Sequence, residues 1–329
     1  MKIVFTEVGK EDVDYYANHL KEYQLVFYDK HLDLINLSEV EDADILCVFV
    51  FDKLNRDRLE AFKRLKLIVT RSVGYDHIDL DYCKSKGIKV AHMPAYSPRS
   101  VAEHAIAMMF ALVRKFKKIE KRIRNLNFSQ DNELEAQTFA DLTVGVIGTG
   151  RIGSWTAKIL HLLGSRVLAY DVVENTELKT LGVNYTDLEK VLRESDIISL
   201  HIPYTPQTHH MINGERIKLM KEGAILINTS RGKVVDTDAL YEALMQGRLG
   251  GAGLDVFEDE EFLILKSYER GLASDKNLKI IKLSTLDNVI ITPHIAYYTK
   301  EAVNNIRKCT VECIEMFLKH GSLGRFEIV

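Results

Sequence analysis

An arginine, a group of acids and a histidine, each just past an apolar run, are the residues best suited to chemistry in this chain. Thr229, Ser230 and Arg231 follow AILIN. Asp255, Glu258, Asp259 and Glu260 fall in GLDVFEDE, and His294 falls in VIITPHIAYY. His201 and Pro203 open a further segment of this kind, HIPYTPQT. A histidine can give or take a proton near neutral pH, and a neighbouring carboxylate stabilises its imidazolium form. An arginine can grip a carboxylate through a two-pronged fork and polarise an adjacent carbonyl. Interconversion of an alcohol and a carbonyl beside a hydride carrier needs this set.

The hydride carrier has its own signature. The stretch LTVGVIGTGRIGSWTAKILHLLGSRVLAYD reads as strand, glycine turn, helix and strand, ending in the acid Asp171. Gly148, Gly150 and Gly153 form G-x-G-x-x-G. They permit a tight turn, close backbone approach to a pyrophosphate and close helix–strand packing, in that order. The helix N-terminus offers unpaired N–H groups to the phosphates. Asp171 lies where a carboxylate accepts both ribose hydroxyls and repels a 2'-phosphate, so NAD is expected as cofactor rather than NADP.

These residues need a frame that brings strand ends together. Apolar runs at 2–6, 24–28, 43–50, 67–71 and 88–91 predict five strands alternating with helices. Runs at 143–147, 166–170, 197–201, 224–228, 251–256 and 289–292 predict six more. The expected class is α/β with two doubly wound parallel sheets, where ligands bind beyond the carboxyl ends of the strands. The pattern predicts one long helix over 97–124, opened by Pro98. Its basic tail, RKFKKIEKRIR, reads as a solvated face. A last helix over 300–317 is expected to pack back on the N-terminal domain. The segment 258–286 is long for a connection between two strands and suggests a functional or covering element.

Composition excludes several classes of function. With 46% hydrophobic and 28% charged residues, the 329-residue chain is that of a globular protein large enough for two domains. A net charge of −3 provides no general attraction to nucleic acid or anionic membrane. No apolar run suits a membrane span, and the opening MKIVFTEVGK is too polar for a secretory leader. Four scattered cysteines fit a reducing cytoplasm. Cys309 and Cys313 share a helix face without a second half-site, so no metal is expected.

Taken together, VGVIGTGRIG, HIPYTPQT, LINTSRGKVVD, GLDVFEDE and ITPHIAYYT resemble the D-isomer-specific 2-hydroxyacid dehydrogenases over nearly the whole chain. PAYSPRSVAEHA, RSVGYDHIDL and the long segment after DVFEDE resemble most closely the members acting on D-lactate, which implies pyruvate as the expected keto acid. Other members act on glycerate, 3-phosphoglycerate or bulkier acids, and Lys53, Arg56 and Arg58 leave a phosphorylated substrate open. A corepressor-like, NAD-sensing interaction protein is the rival of another class.

The resemblance implies a Rossmann NAD domain, 99–296, inserted into a flavodoxin-like substrate domain, 1–98 and 297–329. The cleft would close on hinges near 96–100 and 294–299. It also implies Arg231, Glu260 and His294 as the catalytic set, with Asp255 beside the nicotinamide. Val73, Gly74, Tyr96 and Phe51 would hold the substrate together with Arg231 and His294. The implied cofactor contacts are Gly148, Gly150, Arg151, Ile152, Gly153, Asp171, His201, Pro203, Thr208, Thr229, Ser230, Arg231, Asp255 and His294. The implied assembly is a homodimer built on the 97–124 helix, with a small 2-keto or 2-hydroxy acid as the other partner.

Overall fold

The computed structural model of the chain describes residues 1–264 and 274–329. The chain divides into two compact units, Met1–Ser97 with Thr299–Val329, and Pro98–Tyr298. In the first, β1 (Lys2–Phe5), β2 (Gln24–Phe27), β3 (Ile45–Val48), β4 (Leu67–Thr70) and β5 (Lys89–Ala91) form a parallel sheet in the order β2-β1-β3-β4-β5. This is the flavodoxin-like order, with its switch point between β1 and β3. β3 and β4, read as ILCV and LIVT, are buried along their whole length. Parallel strands covered on both faces require such unbroken apolar runs. The helix Lys300–His320 is capped by the Thr299 hydroxyl and ends at left-handed Gly321. It packs on the helix Lys10–His19 and on β4, and Arg307 donates to Asp12 at 2.6 Å.

The second unit holds β6 (Thr143–Ile147), β7 (Arg166–Tyr170), β8 (Asn184–Tyr185), β9 (Ile197–Leu200), β10 (Ala224–Asn228), β11 (Leu249–Leu254) and β12 (Val289–Ile291). The sheet is parallel, in the order β12-β11-β10-β9-β6-β7-β8, the Rossmann order with one strand added at the β11 edge. Seven strands replace the six expected, because the two-residue β8 is too short to carry a hydrophobic pattern. The chain is thus α/β with two doubly wound parallel sheets.

The helix expected over 97–124 is two helices, Pro98–Val113 and Phe116–Arg124, separated at Lys115, whose φ of 55° is left-handed. The Lys115 ammonium donates to the carbonyls of Glu133 and Glu135 at 2.9 and 2.6 Å, which rewards the break. Lys117 donates to the carbonyls of Ser284, Leu286 and Val289, and Lys121 pairs with Asp287. The basic tail is therefore bound into the unit rather than simply solvated. Part of the long connection, 265–273, lies outside the described residues; around it run the helices Glu260–Ile264 and Asp275–Ser284. Among the described residues no helix is long and apolar enough to cross a membrane.

Candidate active site

The glycine turn joins β6 to the helix Arg151–Leu162 at the switch point between β6 and β9. Gly148 has φ 89°, and a Cβ there would lie 2.5 Å from the His201 carbonyl oxygen. A Cβ on Gly153 would lie 1.8 Å from the Gly148 carbonyl oxygen, so only glycine lets the helix come this close. A Cβ on Gly150 would meet nothing within 4 Å, so this side of the turn is open. Arg151 and Ile152 form the first turn of the helix. Asp171, just past β7, accepts from the Thr149 amide at 2.5 Å, the Thr149 hydroxyl at 3.0 Å and the Val173 amide at 3.2 Å. A carboxylate has about four acceptor positions, so it keeps capacity for one more donor.

His201 leaves β9 beside this turn. Its Nε2 lies 2.9 Å from the Ser199 hydroxyl, and burial pulls its pKa down to about 3, so the ring is neutral. Its Nδ1 is buried and, among the described residues, has no hydrogen-bond partner; the same is true of Thr229 Oγ1 past β10. Such orphaned polar atoms are rare unless a ligand or water completes them. Pro203 and Thr208 belong to one closed loop, in which the Thr208 hydroxyl donates to the Pro203 carbonyl at 2.8 Å.

Arg231 is held by a residue that the sequence did not single out. Asn228, fully buried at the end of β10, accepts from the Ser230 amide and hydroxyl and donates to the Arg231 carbonyl. The Arg231 guanidinium in turn donates to the Ser230 carbonyl at 2.8 Å. Gly232 brings this turn against the acidic loop, since a Cβ would lie 2.2 Å from the Phe257 backbone. Asn228, as a polar residue inside LINTSRG, carried a readable signal. Gly232 did not, because a close approach between distant segments leaves no local trace.

The acidic loop divides its labour. Glu260 accepts from the Phe257 amide through Oε2, at 3.1 Å, and meets His294 Nδ1 through Oε1, at 2.7 Å. Both side chains are about 15% exposed, so solvent screens the pair only weakly. Glu258 and Asp255 are both buried. Burial alone would raise the Glu258 carboxyl. Hydrogen bonds from His210, Lys276 and Thr237 outweigh that and hold it at about 2. Asp255 is 1% exposed and accepts from the Thr292 hydroxyl at 2.6 Å and from the Ile295 and Ala296 amides at 2.9 Å. It anchors the loop carrying His294, whose own amide donates to the Asp255 carbonyl.

In the first unit, the four residues expected near substrate sit on loops past strand ends. Ser72 donates to the Gly74 carbonyl at 2.6 Å, and His92 Nδ1 donates to the Val73 carbonyl at 2.9 Å, which shapes the 72–74 turn. Asn305 holds the Tyr96 carbonyl at 2.8 Å. Phe51 meets the His31 ring edge-on, with centroids 5.8 Å apart. Next to it, Asp52 is fully buried and accepts from the Thr6 hydroxyl and the Leu32 amide. Burial, and then the facing Glu7, raise its carboxyl well above the ordinary range. Glu7, His31 and Asp52 have their polar atoms within 4.8 Å of one another. The buried Arg71 guanidinium donates to the Thr6 and Glu7 carbonyls, adding positive charge near Glu7. Arg56 pairs with Glu60, and Arg58 with Asp33.

Comparisons with known proteins agree with this architecture. Residues 106–296 match the family model of the D-isomer specific 2-hydroxyacid dehydrogenase, NAD binding domain. The chain is 42% identical to a 2-hydroxyacid dehydrogenase homolog of Zymomonas mobilis, covering 86% of each chain. It is 38% identical to D-lactate dehydrogenase of Escherichia coli, covering 88% of each. The solved structure of D-lactate dehydrogenase from Aquifex aeolicus, complexed with NAD and lactic acid, superposes with a TM-score of 0.94 at 57% identity, over 96% of this chain and 95% of that one. The chain therefore belongs to the D-isomer specific 2-hydroxyacid dehydrogenases, NAD-dependent oxidoreductases that act on the CH–OH group of a 2-hydroxy acid.

Proposed function

We propose that this enzyme interconverts pyruvate and D-lactate, and that Arg231, Glu260 and His294 carry the chemistry. The observation that carries the reading is the His294–Glu260 pair at 2.7 Å, in the same unit as Arg231 and the glycine turn. The residues present fit NAD. Gly150 leaves an open face for a pyrophosphate, Asp171 keeps acceptor capacity for a ribose hydroxyl, and His201 Nδ1 and Thr229 Oγ1 await partners. Arg151, Ile152, Pro203, Thr208 and Ser230 would line the same cofactor. When bound as NADH, the nicotinamide supplies a hydride to the keto carbon.

The protein's part is the proton and the grip. Glu260 fixes His294 through Nδ1, so Nε2 is the nitrogen that gives a proton to the carbonyl oxygen as it becomes an alcohol. Arg231 forks onto the substrate carboxylate and polarises the neighbouring carbonyl. The further substrate-binding residues proposed are Val73, Gly74 and Tyr96 for the carboxylate and Phe51 for the methyl group. Arg56 and Arg58 are already engaged by Glu60 and Asp33, which favours pyruvate over a phosphorylated acid.

The assembly is proposed as a homodimer. Phe116 and Ile123 on the second of the two helices, with Leu126 and Phe128 after it, are exposed by 41–83%. Four such side chains in 13 residues suit a self-association surface. The four cysteines are free, which suits a cytoplasmic location.

The test is steady-state turnover of NADH with pyruvate, phenylpyruvate, hydroxypyruvate and 3-phosphohydroxypyruvate. The reading requires the highest kcat/KM with pyruvate. A higher value with another acid moves the substrate, and no oxidation with any of them removes the enzyme reading in favour of an NAD-sensing protein.

A further inference from the structure

His294 holds its place against Glu260 with a left-handed backbone, φ 56°. For a residue with a side chain such a conformation is unfavourable, and it persists only where the surroundings impose it. What imposes it here is Asp255. The Asp255 carbonyl takes the His294 amide at 2.8 Å, and its carboxylate takes the two following amides, of Ile295 and Ala296. The same carboxylate takes the Thr292 hydroxyl at 2.6 Å. Four donors of the 292–296 loop, the Thr292 hydroxyl and the amides of His294, Ile295 and Ala296, thus converge on one buried acid.

The chain of contacts has one more member. His104, on the helix Pro98–Val113, places Nε2 3.0 Å from Thr292 Oγ1 and 3.6 Å from Asp255 Oδ1. The hydroxyl of Thr292 has a single proton, which goes to Asp255, so toward His104 its oxygen can only accept. His104 must therefore carry a proton on Nε2 and donate it. Neither a residue without a donor nor an imidazole protonated only on Nδ1 could close this chain.

We propose that His104 is a positioning residue for proton transfer. Through Thr292 and Asp255 it fixes the strained loop that presents His294 to Glu260. The inference rests on the proposed role of His294 as the acid–base group. It predicts that the donor at position 104 matters more than the ring.

The test compares His104→Leu, His104→Gln and Thr292→Val in the full-length enzyme. Wild-type turnover of a 2-keto acid with NADH is the control for the parent reading. His104→Leu and Thr292→Val should lower kcat about 10- to 100-fold, the scale on which small misplacements of a reacting group act. The Kd for NADH should change less than about threefold, since neither residue is proposed to touch the cofactor. His104→Gln, which keeps an N–H donor, should recover most of the kcat.

A second readout does not depend on activity. In cofactor-free protein labelled with 15N-histidine, the His294 ring signals should shift or multiply in His104→Leu and return toward the wild-type pattern in His104→Gln. Unchanged kcat and unchanged His294 signals in His104→Leu would overturn the proposal. So would equal losses in the leucine and glutamine variants. If His104→Leu does not fold, Thr292→Val decides alone, because it cuts the chain at the next link. Wild-type inactivity on all 2-keto acids would instead count against the parent reading, and the ring signals would still decide whether His104 positions His294.

Discussion

Asp52 in the first unit and Glu258 in the second are both withdrawn from water, at 0% and 3% exposed, yet their carboxyls are driven in opposite directions. Asp52 receives two neutral donors, the Thr6 hydroxyl and the Leu32 amide, and faces the acid Glu7. Glu258 receives an ammonium, an imidazole and an amide. Burial disfavours charge in both, so the partners decide the outcome. The second unit uses charge to tie the acidic loop to the helix Asp275–Ser284 through Lys276, and to the start of the helix Thr237–Met245 through the Thr237 amide. The first unit holds the segment after Phe51 with an acid that takes up a proton far more readily than an ordinary carboxylate. Fixed charge in the acidic loop would suit the proton transfer proposed for His294 and Glu260, and an easily protonated anchor would suit the substrate contact proposed for Phe51.

The sharpest way to break this division is His294→Ala. If the second unit carries the chemistry, kcat should fall about 10²- to 10⁴-fold, the usual worth of general acid–base catalysis. NADH binding, measured by fluorescence titration, should persist. Near-normal turnover would assign the proton to another group. The matching change in the first unit is Phe51→Ala. It should leave kcat for a good substrate largely intact and raise the kcat/KM ratio of phenylpyruvate to pyruvate by about 10- to 100-fold, as expected when one apolar wall is removed. An unchanged ratio would take Phe51 out of the substrate pocket.

The pair of acids gives two smaller and opposite effects, readable in melting temperature against pH. Glu258 has a folded-state pKa of about 2, below its unfolded value. Its contribution is present above roughly pH 4.3 and is lost as pH falls toward the folded value. Glu258→Gln should cost about 2 kcal/mol at neutral pH, because Lys276 loses its counter-charge, and should flatten the acid side of the profile. Asp52 runs the other way. Its folded pKa is raised, so its contribution is complete at low pH and declines as pH rises from roughly 3.9 through the folded value. Asp52→Asn should change stability least, and should remove that decline. Parallel profiles for the two variants would show that the acids are not treated differently.

Much of this was legible because parallel strands announce themselves. Runs such as ILCV and LIVT are apolar at every position, and their order fixes which ends carry loops. The glycine turn was legible because its constraints are local: Gly148 needs a positive φ and Gly153 a missing side chain. What escaped was set by contacts between distant segments. Lys115 breaks a helix without glycine or proline, for the sake of carbonyls 18 and 20 residues further on. β8 exists only because β7 pairs with it at two positions. Asp255 was expected beside the nicotinamide, but nothing in the sequence marked it as the buried hub of the His294 loop. Its link to His104 runs through Thr292, 188 residues away in sequence. Arg231, Glu260 and His294 could be named as candidates; the hydrogen bonds by which Asn228 and Asp255 hold their loops appear only in the folded chain.

The proposed reaction has a defined stereochemical outcome, so the chirality of its product is decisive. Purified enzyme should be incubated with NADH and pyruvate, and the lactate resolved on a chiral column. D-lactate alone should form, in a one-to-one ratio with NADH consumed. L-lactate, a racemate or the absence of lactate would contradict it.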